Sequence, residues 1–175
     1  MIQVITGPMF AGKTTRLHAI ANEMGQNTLL VKPLLDTRYS QTTSLTHSRH
    51  ELPCVVVESL SQIPRRLLIG LDCLLIDEGQ FFPSLKENVL LLRDSIPRIV
   101  VGGLDMDYKK KAFNGMEELT QIANVVECLR AVCDVCGEHN ASLTTRYLKG
   151  DRSLARIVVG DSSMYSPRCI SCYMS

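Results

Sequence analysis

The sequence predicts an α/β fold: a mostly parallel sheet covered by helices on both faces, followed by a small cysteine-rich appendage. Three observations carry this. Short continuous apolar runs rich in β-branched residues recur through the first two-thirds of the chain, as strands buried on both faces require. Polar, helix-capable segments separate those runs, the alternation expected of parallel strands joined by crossovers. After about Cys128 the texture changes to short strand-like pieces, turn residues and paired cysteines.

In chain order, "IQVIT" is the first strand, and "GKTTRLHAIANEMG" reads as a helix from about Lys13 to Met24, stopped by Gly25. "NTLLVK", "PCVVVES", "CLLIDE" and "RIVVGG" are the remaining strands. A second helix is expected over Leu85 to Arg93, with Pro83 and Ser84 near its start, and a shorter third around Met116 to Ala123. No long helix is expected beyond residue 128.

A chain of 175 residues with 45% hydrophobic content is long enough for one good domain and a small appendage. A net charge of +1 leaves no broad electrostatic footprint for nucleic acid or membrane. No apolar run approaches the roughly 20 residues of a bilayer span. The opening "MIQVITG" runs straight into a strand without a signal-like core, which predicts a cytoplasmic protein.

"GPMFAGKT" matches the phosphate-loop pattern of Gly, four residues, then Gly-Lys-Thr, with a strand before it and a helix after it. Gly7 and Gly12 permit a tight loop whose backbone N–H groups face phosphate oxygens at a helix N-terminus. The predicted nucleotide-binding residues are Gly7, Pro8, Met9, Phe10, Ala11, Gly12, Lys13 and Thr14. Lys13 would reach the β- and γ-phosphates, and Thr14 would offer a hydroxyl to Mg²⁺. Asp77, closing the apolar strand "CLLI", is the expected magnesium-associated acid. The architecture is then a RecA-like parallel sheet around a nucleotide triphosphate.

Glu78 follows Asp77 at once, and a second acid beside a γ-phosphate has two uses. In ATPases and helicases it activates water; in kinases it takes the proton of a substrate hydroxyl. Phe81 and Phe82 add flat apolar surface suited to a ring-shaped acceptor, with ordinary core packing as the alternative.

Seven cysteines divide into two groups. Cys54, Cys73 and Cys128 sit singly in apolar surroundings and read as core. Cys133, Cys136, Cys169 and Cys172 form two C-x-x-C pairs, the ligand set of a structural four-thiolate Zn²⁺. The long excursion from Gly137 to Arg168 would then have its ends clamped together, limiting its freedom. His139 is expected at the surface. A nucleic-acid-binding zinc ribbon is disfavoured because basic residues are not concentrated there. The run Lys109 to Lys111 reads either as a solvated loop or as an attractor of phosphates.

"GPMFAGKTT", "DTRYS", "IDEGQFF", "GLDMDYKKKAF", "CDVC" and "YSPRCISCY" occur in the order and spacing of the type II thymidine kinases, which the chain resembles from Gly7 to Tyr173. That resemblance implies a nucleotide-binding domain over residues 1–127 and a zinc-binding lasso subdomain over 128–175. It implies transfer of the γ-phosphoryl group of ATP to the 5′-hydroxyl of thymidine, and of deoxyuridine, with Glu78 as general base. Asp36 and Arg38 match positions near magnesium and the transferring phosphate. The thymine pocket falls on Met9, Phe81, Leu104, Tyr108, Thr144 and Tyr165, with backbone groups near Val158 and Gly160 reading the polar edges of the base. The resemblance also implies a homotetramer inhibited by thymidine triphosphate.

The chain departs from the family pattern in three places: an extra residue between Cys136 and Thr144, Ser163 in place of an acid, and Ile170 after Cys169. Two other classes fit single motifs. "DEGQ" resembles helicase motifs, but a helicase usually needs two such ATPase domains. A zinc-ribbon module that binds nucleotide without turnover would have little use for Glu78.

Overall fold

The computed structural model describes residues 1–35, 43–45, 51–147 and 162–175, with 43–45 and 51–53 described by backbone alone. Seven strands form the main sheet: β1 (Ile2–Thr6), β2 (Thr28–Pro33), β3 (Thr43–Leu45), β4 (Glu51–Val57), β5 (Cys73–Ile76), β6 (Arg98–Gly103) and β7 (Val125–Cys128). Their spatial order is β3-β4-β2-β5-β6-β1-β7, with every pairing parallel except β3 on β4. This is the expected RecA-like sheet.

The helices are α1 (Lys13–Met24), α2 (Leu85–Leu92) and α3 (Asn114–Ile122), with a short α4 (Ile170–Met174) at the end. The first agrees with its predicted limits. The third starts two residues before the predicted Met116, because polar Asn114 and Gly115 conceal the first turn from an apolar pattern. Strand β7 was not foreseen: Val125, Val126 and Cys128 are exposed along the edge of the sheet beside β1. Its exposure also corrects the reading of Cys128 as core. Cys73 is fully buried, and Cys54 is partly so.

Strand alternation divides the core in two. Leu74, Ile76, Ile99 and Val101 face α2 and α3, packing with Leu85, Val89, Met116 and Leu119. Cys73, Leu75, Val100 and Ile5 face the other way, onto Leu17 and Ile20 of α1. The next residue after Ile76 is therefore delivered to the α1 face, and that residue is Asp77.

A second, two-stranded antiparallel sheet joins β8 (Leu143–Arg146) to β9 (Tyr165–Arg168). Ala131, Cys133, Ala141 and Cys169 form its own small buried cluster, against which Ala11 of the phosphate loop packs.

Candidate active site

The phosphate loop is set by two glycines and one strained residue. Gly7 has φ 145° and Gly12 φ 83°. A side chain at Gly7 could not be accommodated, since its Cβ would lie 2.5 Å from the Leu129 carbonyl oxygen. Phe10 adopts a left-handed φ of 64°, a conformation that costs a non-glycine residue about 1–3 kcal/mol. Lys13 arches back over the loop, its ammonium donating to the carbonyls of Gly7 at 3.0 Å and Pro8 at 2.7 Å.

Thr14, in the first turn of α1, donates through Oγ1 to Asp77, at 3.0 Å to Oδ2 and 3.3 Å to Oδ1. Asp77 is buried, and its backbone N–H still bonds to the Val31 carbonyl of β2. The Lys32 ammonium lies 3.9 Å from Asp77 Oδ2, with both side chains almost wholly buried. A buried carboxylate requires such compensation, because an isolated charge would be strongly penalised. The Thr14–Asp77 pair is a donor set of hydroxyl and carboxylate oxygens, the chemistry a hard cation such as Mg²⁺ accepts.

Glu78 points elsewhere. It takes the left-handed conformation, φ 52° and ψ 43°, as the chain leaves β5 and turns into a 3-10 turn over Gly79–Phe81. Gly79 allows that turn to pass against β6; a Cβ there would lie 2.6 Å from Val101 Cγ1. The Glu78 carboxylate accepts a 2.6 Å hydrogen bond from Gln80 Nε2, while Gln80 Oε1 accepts from the Leu104 backbone N–H at 2.9 Å. Among the described side chains, Thr14 and Lys32 thus adjoin one acid and Gln80 the other. The two phenylalanines are also divided: Phe82 is buried in the core with Leu85 and Met116, and Phe81 stays half-exposed.

The hairpin meets the phosphate loop directly. Thr144 Oγ1, buried on β8, accepts from the Met9 backbone N–H at 3.0 Å. Tyr165, also buried, lines a cavity of 310 Å³ with Phe10, Val132, Asp134, Ser162 and Pro167. Tyr108 sits on a loop held by Asp107, whose carboxylate accepts from the N–H groups of Lys109 and Lys111 at 2.9 Å each. Arg146, two residues beyond Thr144, stacks its guanidinium 5.3 Å from the Tyr108 ring centre. Lys110 places its ammonium 3.1 Å from the Tyr173 ring centre, so this lysine turns to an aromatic ring of α4.

Cys133, Cys136, Cys169 and Cys172 bring their sulfurs within 4.8 Å of one another. The Cys136 and Cys169 sulfurs are 3.9 Å apart. Tetrahedral thiolates around zinc would stand about 3.8 Å apart, given a Zn–S bond of about 2.3 Å, so the residues fit the ion. Hydrogen bonds from the backbone N–H groups of Cys136 and Cys169 pull the Cys133 thiol down to about 6. Hydrogen bonding with Cys169, then burial and the other thiols, pushes Cys172 up to about 12. His139 is exposed, and among the described residues it is not part of this cluster.

Residues 1–173 match the family described as thymidine kinase. A thymidine kinase of Pseudothermotoga lettingae is 34% identical over 98% of this chain and 94% of its own length. One of Bacteroides thetaiotaomicron is 35% identical over 99% of this chain and 86% of its own. The chain belongs to the thymidine kinase family. Membership makes it a phosphate-transferring enzyme. Among solved structures, the Thermotoga maritima RuvB Holliday junction branch migration motor overlaps 73% of this chain and 37% of its own. That overlap has 18% identity and a TM-score of 0.41, too slight a likeness to bear on function.

Within this kinase fold the predicted site residues form two linked groups. Lys13, Thr14 and Asp77 gather at the phosphate loop, with Met9 tied to Thr144. Glu78 and Leu104 gather around Gln80, and Tyr108 connects to β8 through Arg146. Asp36, Arg38, Val158 and Gly160 lie outside the described residues. Gln80 and Lys32 were not singled out from the sequence. A lysine inside the otherwise apolar "TLLVKP" was a legible signal; the role of Gln80 depends on how a turn folds back, which no local pattern reports.

Proposed function

We propose that this kinase transfers the γ-phosphoryl group of ATP to the 5′-hydroxyl of thymidine, and also accepts deoxyuridine. The separation of Asp77 from Glu78 is the observation that supports the reading best. One acid is engaged with the phosphate loop through Thr14, and its neighbour turns to the other side of the strand end, beside half-exposed Phe81. Water activation alone would not call for an aromatic wall.

In the reaction the 5′-oxygen bonds to the γ-phosphorus as the bond to the β-phosphate oxygen breaks, releasing ADP. Glu78 takes the hydroxyl proton, and Lys13 carries its ammonium to the β- and γ-phosphate oxygens. Arg38 neutralises charge developing on the transferring group, with Asp36 beside it. Thr14 and Asp77 would hold Mg²⁺, which when bound to ATP screens the phosphate charge. Met9, Phe81, Leu104, Tyr108, Thr144 and Tyr165 form the thymine pocket, and the backbone near Val158 and Gly160 reads the base edges.

The four cysteines hold a structural Zn²⁺ that closes the excursion from Gly137 to Arg168. The boundary between the nucleotide-binding domain and the lasso lies at about residue 127. The family resemblance supports a cytoplasmic homotetramer inhibited by thymidine triphosphate. No helix among the described residues is long and apolar enough to cross a membrane.

The test is phosphate transfer from γ-labelled ATP to thymidine, deoxyuridine, deoxycytidine, single-stranded DNA or no acceptor. Labelled thymidine monophosphate, lost by about 10²-fold or more in Glu78→Gln, is the expected result. Free phosphate released only with DNA would overturn the reading.

A further inference from the structure

We propose that Gln80 is a positioning residue that holds the Glu78 carboxylate in its working orientation and couples it to the Leu104 wall of the base pocket. The inference rests on the reading of Glu78 as the general base. It starts from how the amide is oriented. Gln80 Oε1 accepts from the Leu104 N–H, so the amide must present its nitrogen, not its oxygen, to Glu78. The resulting bond to a carboxylate is short, 2.6 Å, as hydrogen bonds to ionised groups are.

The surroundings leave the amide little choice of position. It lies against the bare backbone of Gly103, where a Cβ would come within 2.7 Å of Gln80 Oε1 and 2.8 Å of Met116 Sδ. Gly79, one residue earlier, lets the turn pass Val101. Two glycines and one amide therefore lock the ends of β5 and β6 together just where the acid emerges. Glu78 itself sits in a left-handed conformation that its own side chain does nothing to favour. An acid on such a turn needs an external partner to keep a single rotamer, and general-base geometry tolerates little error: displacement by about 1 Å can cost about 10²-fold.

Gln80→Glu separates this role from simple packing. It keeps the shape and the acceptor for Leu104 N–H, but presents oxygen rather than N–H to Glu78. Gln80→Met fills similar space and removes both polar contacts. Both would be compared with wild type and Glu78→Gln in steady-state transfer to thymidine, after folding is verified by circular dichroism and metal content. The expected result is a fall in kcat of about 10- to 100-fold in each variant, with KM for thymidine within about threefold. Placed on Glu78→Gln, neither should cost more than about a further twofold, because the base that Gln80 positions is already gone.

Should Gln80→Met fail to fold, isosteric Gln80→Glu supplies the decision. Wild-type kcat in Gln80→Glu, with Glu78→Gln inactive, would overturn the positioning role and leave the base intact. Wild-type kcat in Glu78→Gln would remove the base reading and this inference together.

Discussion

The Met9 N–H donates to Thr144 Oγ1 at 3.0 Å, joining residues 135 apart in the chain. Through it the phosphate loop, on the large sheet, is anchored to a hairpin whose own ends are gathered by four cysteines. Removal of the acceptor should therefore be felt in both places. Thr144→Val is expected to lower stability by about 1–3 kcal/mol, the cost of leaving a partly buried N–H without a partner. Thr144→Ser should retain most of it. Denaturant midpoints compared with KM for ATP and thymidine would test this; equal midpoints for wild type and Thr144→Val would refute it.

The two loop glycines should not be equivalent. Gly7→Ala places Cβ against the Leu129 carbonyl, which is backbone and cannot move aside, while Gly12→Ala meets open space and suffers only its positive φ. The second substitution is expected to cost about 1–2 kcal/mol. The first should cost more, since the clash adds to the strain. Thermal unfolding of the two variants side by side checks the order.

Removal of the metal proposed for the four cysteines should release the hairpin before the sheet. Chelation is expected to raise hydrogen exchange across β8 and β9 and abolish transfer to thymidine, while β1, β5 and β6 stay protected. Cys136→Ser should mimic it, because one lost thiolate leaves the tetrahedral set incomplete. Exchange measured by mass spectrometry, with and without chelator, distinguishes this from global unfolding.

Two cysteines outside the cluster predict an alkaline limit. Burial pushes Cys73 up from 9.0, and burial likewise raises Cys54, partly offset by Lys32. The unfolded chain ionises these thiols first. Their contribution to stability is therefore full below pH about 9 and drains away as pH rises beyond it. Urea midpoints at pH 8 and pH 10 should differ in that direction, with a smaller loss in Cys73→Ala. In the metal-loaded protein at pH 8, exposed Cys128 should react with a thiol reagent well before either.

Much of this site was legible locally. A phosphate loop is a contiguous string whose glycines, lysine and threonine act through backbone geometry within one turn. Asp77 was legible because an apolar strand ends at it, and the paired cysteines because zinc ligands come at fixed spacing. The core of α1 and the five central strands followed from apolar patterning alone. Strand β7 escaped because an edge strand exposes Val125 and Val126, and its partner β1 lies more than a hundred residues away.

What the sequence by itself determined, then, is the inventory: a triphosphate loop, two adjacent acids, four thiols and a parallel sheet to carry them. Each depends on neighbours in the chain or on repeating polarity. Only the tertiary structure decided which way each acid turns. Alternation along β5 sends Asp77 to Thr14 on the α1 face, and a left-handed turn sends Glu78 to Gln80 and the end of β6. The same holds for Phe81 and Phe82, adjacent in sequence, one half-exposed and the other in the core. Adjacent residues have the same local context. What separates them is the direction in which the fold points each side chain, and that is settled by contacts distant in sequence.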